Sequence, residues 1–129
     1  MKKSKFQFSN PTLESLRFDV YDDFDPESFE GIAMESNTEV LISGEQNATV
    51  TLTVKIGEGK QNQPFDIMVK MKADFVWEET ITEEASKKML NINGATVLLS
   101  YIRPIVASLT STSKYPTLNI PFVDFTSGQ

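Results

Sequence analysis

The residues best equipped for chemistry lie in an acidic run from Asp19 to Glu30. Asp23 and Asp25 have the spacing of the first two ligands of a calcium loop, and Glu27 extends it to a third. The turn glycine of such a loop would fall on Ser28, and Gly31 is out of place, so the run reads as a solvated, charge-rich loop and no metal ligand is assigned. Gly57-Glu58-Gly59-Lys60 lacks the spacing and the following hydroxyl residue of a phosphate loop and reads as a hairpin turn. The chain has no histidine and no cysteine. That removes the usual general base near neutral pH, the commonest metal ligand and all thiolate chemistry. No nucleophile–base pair stands out, so no catalytic residue and no cofactor is assigned, and an enzyme is not expected. Tyr101 with Arg103 has the makings of an anion site, but an arginine on an apolar helix more often pairs with a carboxylate at an interface. Trp77, at a strand end, reads as core edge ahead of ligand platform.

These side chains must be positioned by elements that the hydropathy pattern reveals. Leu16, Phe18 and Val20 alternate with Arg17 and Asp19. A weaker alternation covers "IAMESNTEVLI", with Val40 and Ile42 against Glu35 and Glu39. "ATVTLTVKIG" is strict: Val50, Leu52, Val54 and Ile56 against Thr49, Thr51, Thr53 and Lys55. "FDIMVKMKADFVW" sets Phe65, Ile67, Val69, Met71, Ala73, Phe75 and Trp77 against Asp66, Lys70, Lys72 and Asp74. Period two marks strands with one buried face. The joints "SGEQN" and "GEGKQNQP" are too short for crossover helices, so these strands run antiparallel. The period then changes. "TITEEASKKML" is a short helix capped by Thr80 or Thr82, with Lys87 and Lys88 near its far end. Asn91 to Gly94 reads as a break. A long helix follows, with Leu98, Ile102, Ile105 and Leu109 on one stripe and Ala95, Leu99, Ile102 and Val106 on an overlapping one. A bend is expected at Pro104. "TLNIPFVDF" runs out extended. The predicted fold class is α+β, a four-stranded antiparallel sheet followed by a short and a long helix on one face, as a single domain over residues 1–129.

At 129 residues the chain suits one core, and a net charge of −6 makes nucleic acid and anionic membranes poor partners. The N-terminal "MKKSKFQFSN" lacks the apolar run of a signal peptide. The stretch around Val97 is interrupted by Arg103 and Pro104 and is not expected to insert in a membrane. A cytoplasmic location is expected. The long helix poses a problem of cover: "NGATVLLSYIRPIVASL" has one charge, Arg103, and no clear wet face. Burying a Leu or Ile is worth roughly 1.5–3 kcal/mol, so leaving several wet would forfeit much of a typical stability. Sister subunits are the favoured cover, through Ala95, Leu99, Tyr101, Arg103, Val106 and Leu109. The alternative is the chain's own tail folding back. Apolar side chains are also in surplus in the acidic loop (Phe24, Phe29) and in the tail (Tyr115, Ile120, Phe122, Phe125). They either complete a core or form a sticky groove.

From Gly94 to Phe125, "GATVLLSYIRPIVASLTSTSKYPTLNIPFVDF" resembles the SecB family of export chaperones. The resemblance is carried by the Ala-led helix ending in Ser/Thr, the Tyr115-Pro116 pair, Leu118-Asn119-Ile120-Pro121 and the closing Asp124-Phe125. The alternating strands and the aromatic loop after the first of them agree in order and size. The resemblance implies a dimer of dimers with helices sandwiched between sheets. It implies ATP-independent holding of unfolded polypeptide clients in apolar grooves, for export or, in some members, for an antitoxin. Carried onto this chain, it makes Phe24, Phe29, Trp77, Leu98, Ile102, Ile105, Tyr115, Phe122 and Phe125 the client-binding candidates. The family's longer members have a further helix and tail where this sequence has only Thr126 to Gln129, which weakens the expectation of SecA as a partner but leaves client binding intact. A chaperone dedicated to one partner and a small-molecule binding module are the alternatives.

Overall fold

A computed structural model describes residues 1–126. Its sheet has five strands: β1 (Phe6–Phe8), β2 (Thr12–Val20), β3 (Met34–Gly44), β4 (Asn47–Ile56) and β5 (Phe65–Trp77). All pairings are antiparallel, in the order β3-β4-β5, with β1 and β2 lying end to end along the far side of β5. The fold class is the expected one, with a fifth strand added. That strand, "FQF", is too short for its alternation to stand out. Pro11 follows it, and a residue without an N–H suits a break in an edge strand. The strands β3, β4 and β5 follow one another by hairpin connections, of two residues between β3 and β4 and eight between β4 and β5. β2 instead sits beside β5, so the segment from Tyr21 to Ala33 must cross the end of the sheet to reach β3, as in a Greek key.

Register puts all of the expected inward residues on one face. Val50, Leu52, Val54 and Ile56 oppose Ala73, Met71, Val69 and Ile67 across β4 and β5, and every one of them is buried. The outer face carries mixed charge, with Lys55 opposite Glu35, and Lys72 paired to Glu14 at 2.7 Å. An uncovered face that alternates charge with threonine stays wet at little cost.

Thr82, not Thr80, caps α1 (Glu83–Met89): its side chain accepts from the Ala85 N–H at 3.1 Å. The expected break at Asn91–Gly94 does not occur. Leu90–Gly94 forms a π-helical turn that joins α1 to α2 (Ala95–Ser111), giving one helix of 29 residues. Gly94 fits this turn through its packing against the sheet. It is buried, and a Cβ on it would lie 3.3 Å from the Val50 side chain and 3.5 Å from Phe75, so the glycine lets the helix approach the sheet closely. The helix runs through Arg103 and Pro104, as its two apolar stripes require. Its length and composition would let it cross a bilayer, but Leu98, Ile102 and Val106 are fully buried within the core formed with the sheet, as in a soluble core helix.

The tail answers half of the cover problem. Thr110 Oγ1 accepts from the Leu118 N–H at 2.8 Å, and Arg103 donates to the Ile120 and Pro121 carbonyls at 3.1 and 2.8 Å. The tail therefore runs back along one flank of the helix and buries Ile120 and Phe125. The opposite ridge, Val97, Tyr101, Ile105 and Leu109, spaced by four, is only partly covered, with Ile105 packed against the core. Tyr101 is exposed and the other three are half-buried.

Candidate functional site

Three segments meet at the end of the sheet where β5 begins. The crossing loop brings Phe24, Phe29 and Ile32. The β4–β5 turn brings Pro64 and Phe65. The turn after α2 brings Tyr115 and Leu118. Together they line an open apolar groove of about 410 Å³. Phe24 stands edge-on to both Phe29 and Tyr115, with ring centroids 5.0 and 5.3 Å apart. Such T-shaped contacts hold rings at fixed angles while leaving their outer edges accessible. The Tyr115 hydroxyl donates to the Tyr21 carbonyl, and Lys114 pairs with Asp22 at 2.6 Å, so the tail side of the groove is tied to the loop side. Asp25 uses its carboxylate locally: it accepts from the Glu27 N–H at 3.1 Å and from Ser28 Oγ at 2.7 Å, capping the single turn Pro26–Ser28. Among the described residues no three acidic side chains are grouped to hold a metal ion.

The hydrogen bond to Lys114 holds the Asp22 carboxyl below the usual carboxylate range, and the same contact raises the Lys114 ammonium. The sign follows from linkage. A depressed carboxyl contributes above its unfolded value and loses that contribution as pH falls through its folded value. A raised amine contributes up to its unfolded value and loses that contribution as pH rises through its folded one. The tie is therefore whole at neutral pH. Acid titration is expected to release it first at Asp22, seen as a downfield shift of the Asp22 carboxyl-adjacent protons together with faster exchange around Tyr115. An exposed pair is also screened by salt.

The other candidates fall in different places. Trp77 is at the far end of β5 from Phe65, about 40 Å away at ~3.3 Å per strand residue. It lines a separate cavity of about 320 Å³ with Ile42 and Ile81. Leu98, Ile102 and Phe125 are buried in the chain's own core, and Ile105 is half-buried against its edge. Phe122 is 99% exposed on the tail, with the Arg103 guanidinium 5.7 Å from its ring. Of the interface candidates, Ala95, Leu99 and Val106 face the chain's own core, Arg103 is occupied by the tail, Leu109 is half-buried, and Tyr101 is open. The groove thus unites Phe24, Phe29 and Tyr115 and leaves the rest out.

Ile32, Pro64, Phe65 and Leu118 are not among the expected groove residues, because nothing local distinguishes a groove wall from core. A second apolar surface corrects the expectation that Leu16 and Val20 lie on a buried face. Leu13, Leu16 and Val20 share the core face of β2 yet are 48, 42 and 39% exposed, because β2 is an edge strand beyond the reach of the helix. Phe8 extends this strip, with its ring 6.4 Å from that of Tyr101.

An antiparallel sheet with one long helix across a single face, and an accessible chemistry that is chiefly apolar contact, defines an α+β protein of SecB-like fold. The chain belongs to the SecB family: the family model for preprotein translocase subunit SecB matches residues 19–127. Among solved structures, the Mycobacterium tuberculosis SecB-like chaperone Rv1957, in complex with a ChAD peptide from the Rv1956 HigA1 antitoxin, superposes with a TM-score of 0.67 at 18% identity, over 93% of this chain and 91% of its own. A protein of unknown function from Streptococcus agalactiae matches with a TM-score of 0.48 at 7% identity, over 94% of this chain and 100% of its own. No curated protein matches the sequence.

Proposed function

We propose that this protein is an ATP-independent holdase chaperone of the cytoplasm, a single domain that captures unfolded polypeptide in the apolar groove of Phe24, Phe29 and Tyr115. The observation that carries the reading is the groove itself: aromatic and aliphatic walls, open to solvent, on a member of the SecB family. Release of water from apolar surface needs no particular hydrogen-bond pattern, so such a groove accepts many sequences. The test is aggregation of a chemically denatured client. Protein at or below the client's concentration is expected to suppress light scattering without ATP, and no suppression at several-fold excess would overturn the reading. Neither a cofactor nor nucleic acid is part of this function. A dedicated partner such as an antitoxin is the second reading, motivated by the peptide held by the structural relative. It predicts tight binding of one peptide and weak binding of unrelated clients. A SecA-type partner is not part of this reading.

Self-assembly is part of the same proposal. The strip of Phe8, Leu13, Leu16 and Val20 and the helix ridge at Tyr101 and Leu109 form apolar surface that a second copy would dry, and a dimer of dimers would place helices between sheets. Light scattering is expected to return a multiple of the 14.5 kDa chain mass. Leu16→Lys together with Tyr101→Lys is expected to reduce it to the single-chain value. A wild-type mass of one chain overturns the assembly.

A further inference from the structure

The aromatic wall of the groove is held from behind. The Tyr21–Ala33 loop carries Phe24 and Phe29 but has no regular structure beyond the turn Pro26–Ser28. Its ends are pinned by main-chain bonds: the Tyr21 N–H donates to the Pro64 carbonyl at 2.9 Å, and the Gly57 N–H donates to the Ala33 carbonyl at 2.7 Å. Between these ends, two adjacent side chains of the β4–β5 turn bond the loop. Asn62 accepts from the Asp25 N–H at 2.8 Å and donates to the Asp25 carbonyl at 3.0 Å and to Ser28 Oγ at 3.3 Å. Gln63, 4% exposed, accepts from the Ala33 N–H at 3.0 Å and donates to the Gly31 carbonyl at 3.0 Å. Each amide thus supplies both a donor and an acceptor to the loop main chain, as a neighbouring strand would. Neither residue lines the groove. Asn62 holds a left-handed backbone, φ 54°, which asparagine and glycine accept more readily than other residues.

Resting on the chaperone reading, we propose that Asn62 and Gln63 are positioning residues for client capture: their amides lock the crossing loop in the one conformation that presents Phe24 and Phe29 to a client side chain. A loop released from this clamp samples conformations in which the rings do not face the groove together. Affinity then falls by the fraction of time spent in the competent state. Discrimination for aromatic residues falls with it.

The test uses the full chain and two fluorescein-labelled twelve-residue peptides without acidic residues, one with a central Phe and one with Ala in its place. The wild type is expected to prefer the Phe peptide. Asn62→Gly keeps the left-handed backbone and removes the side chain. It is expected to weaken binding of the Phe peptide about tenfold and of the Ala peptide less than twofold, with faster amide exchange at residues 22–33. Asn62→Asp, which keeps only the acceptor, is expected to fall between. Gln63→Leu is expected to act as Asn62→Gly does. If it fails to fold, Asn62→Gly decides alone. A variant that merely lost folded protein would weaken both peptides equally, and that outcome overturns the proposal. So does an Asn62→Gly protein whose Phe-to-Ala preference stays within twofold of wild type. A wild type that binds neither peptide removes the chaperone reading itself and this inference with it.

Discussion

Client affinity is expected to fall about a hundredfold when Phe24, Phe29 and Tyr115 are truncated together to alanine. Each ring is an aromatic anchor at the centre of an apolar groove, the kind of residue whose truncation at an interface costs 2 kcal/mol or more. The three touch one another through Phe24, so their effects will not add. A shared loss of about 2.7 kcal/mol corresponds to the hundredfold change. Fluorescence anisotropy of a labelled unfolded client measures it, and far-UV circular dichroism checks the fold. The fold is expected to survive: Phe29 is 36% exposed, and Phe24 and Tyr115 are only half-buried, so little of the main core is lost. Phe122→Ala is the informative contrast. Phe122 is the most exposed ring in the described chain, yet it stands outside the groove. Its truncation is expected to change affinity less than twofold. If Phe122→Ala abolishes capture while the triple variant does not, the client surface lies on the tail.

Gly57→Ala is expected to be the most damaging alanine substitution among the described glycines. Gly57 has φ +80°, and a Cβ there would lie 2.0 Å from the Phe65 carbonyl oxygen, a backbone atom that cannot step aside. A non-glycine residue in this region costs about 1–3 kcal/mol in strain alone. The clash adds to it by prising β4 from β5 at the turn. Set against a typical stability of about 5–15 kcal/mol, this takes the protein close to unfolding. Gly59→Ala separates the two contributions, since Gly59 has φ +76° but open space around its Cβ position. Urea denaturation is expected to show a small drop in midpoint for Gly59→Ala and a drop several times larger for Gly57→Ala. Equal drops would mean that strain, not the clash, dominates. Because the same turn carries Asn62 and Gln63, a Gly57→Ala protein that remains folded is also expected to lose its preference for aromatic clients.

The groove was only partly legible beforehand. Phe24, Phe29 and Tyr115 stand out as aromatic residues in segments without periodicity, and the family resemblance points to them. Trp77, Leu98, Ile102 and Phe125 share that apolar character, but packing places all four in the core, the first at the far end of β5. Asn62 and Gln63 carried no signal at all, because two amides in a polar turn look like any solvated loop until their partners at Asp25, Gly31 and Ala33 are known.

Local chemistry by itself determined a good deal. Period-two alternation defined which residues of β3, β4 and β5 face inward, the threonines and acids of Thr80–Glu84 narrowed the helix start to two caps, and the segment from Gly94 to Phe125 pointed to the family. Tertiary structure alone decided that β2 lies beside β5 and not β3, that the helix continues through Leu90–Gly94, and that the tail dries one flank of the helix while the other stays only partly covered. The reason is physical. Alternation records which side of its own element a residue faces, a property of the local backbone. Which element then lies against that side is settled by contacts between residues far apart in the chain, and neither spacing nor composition encodes those pairings.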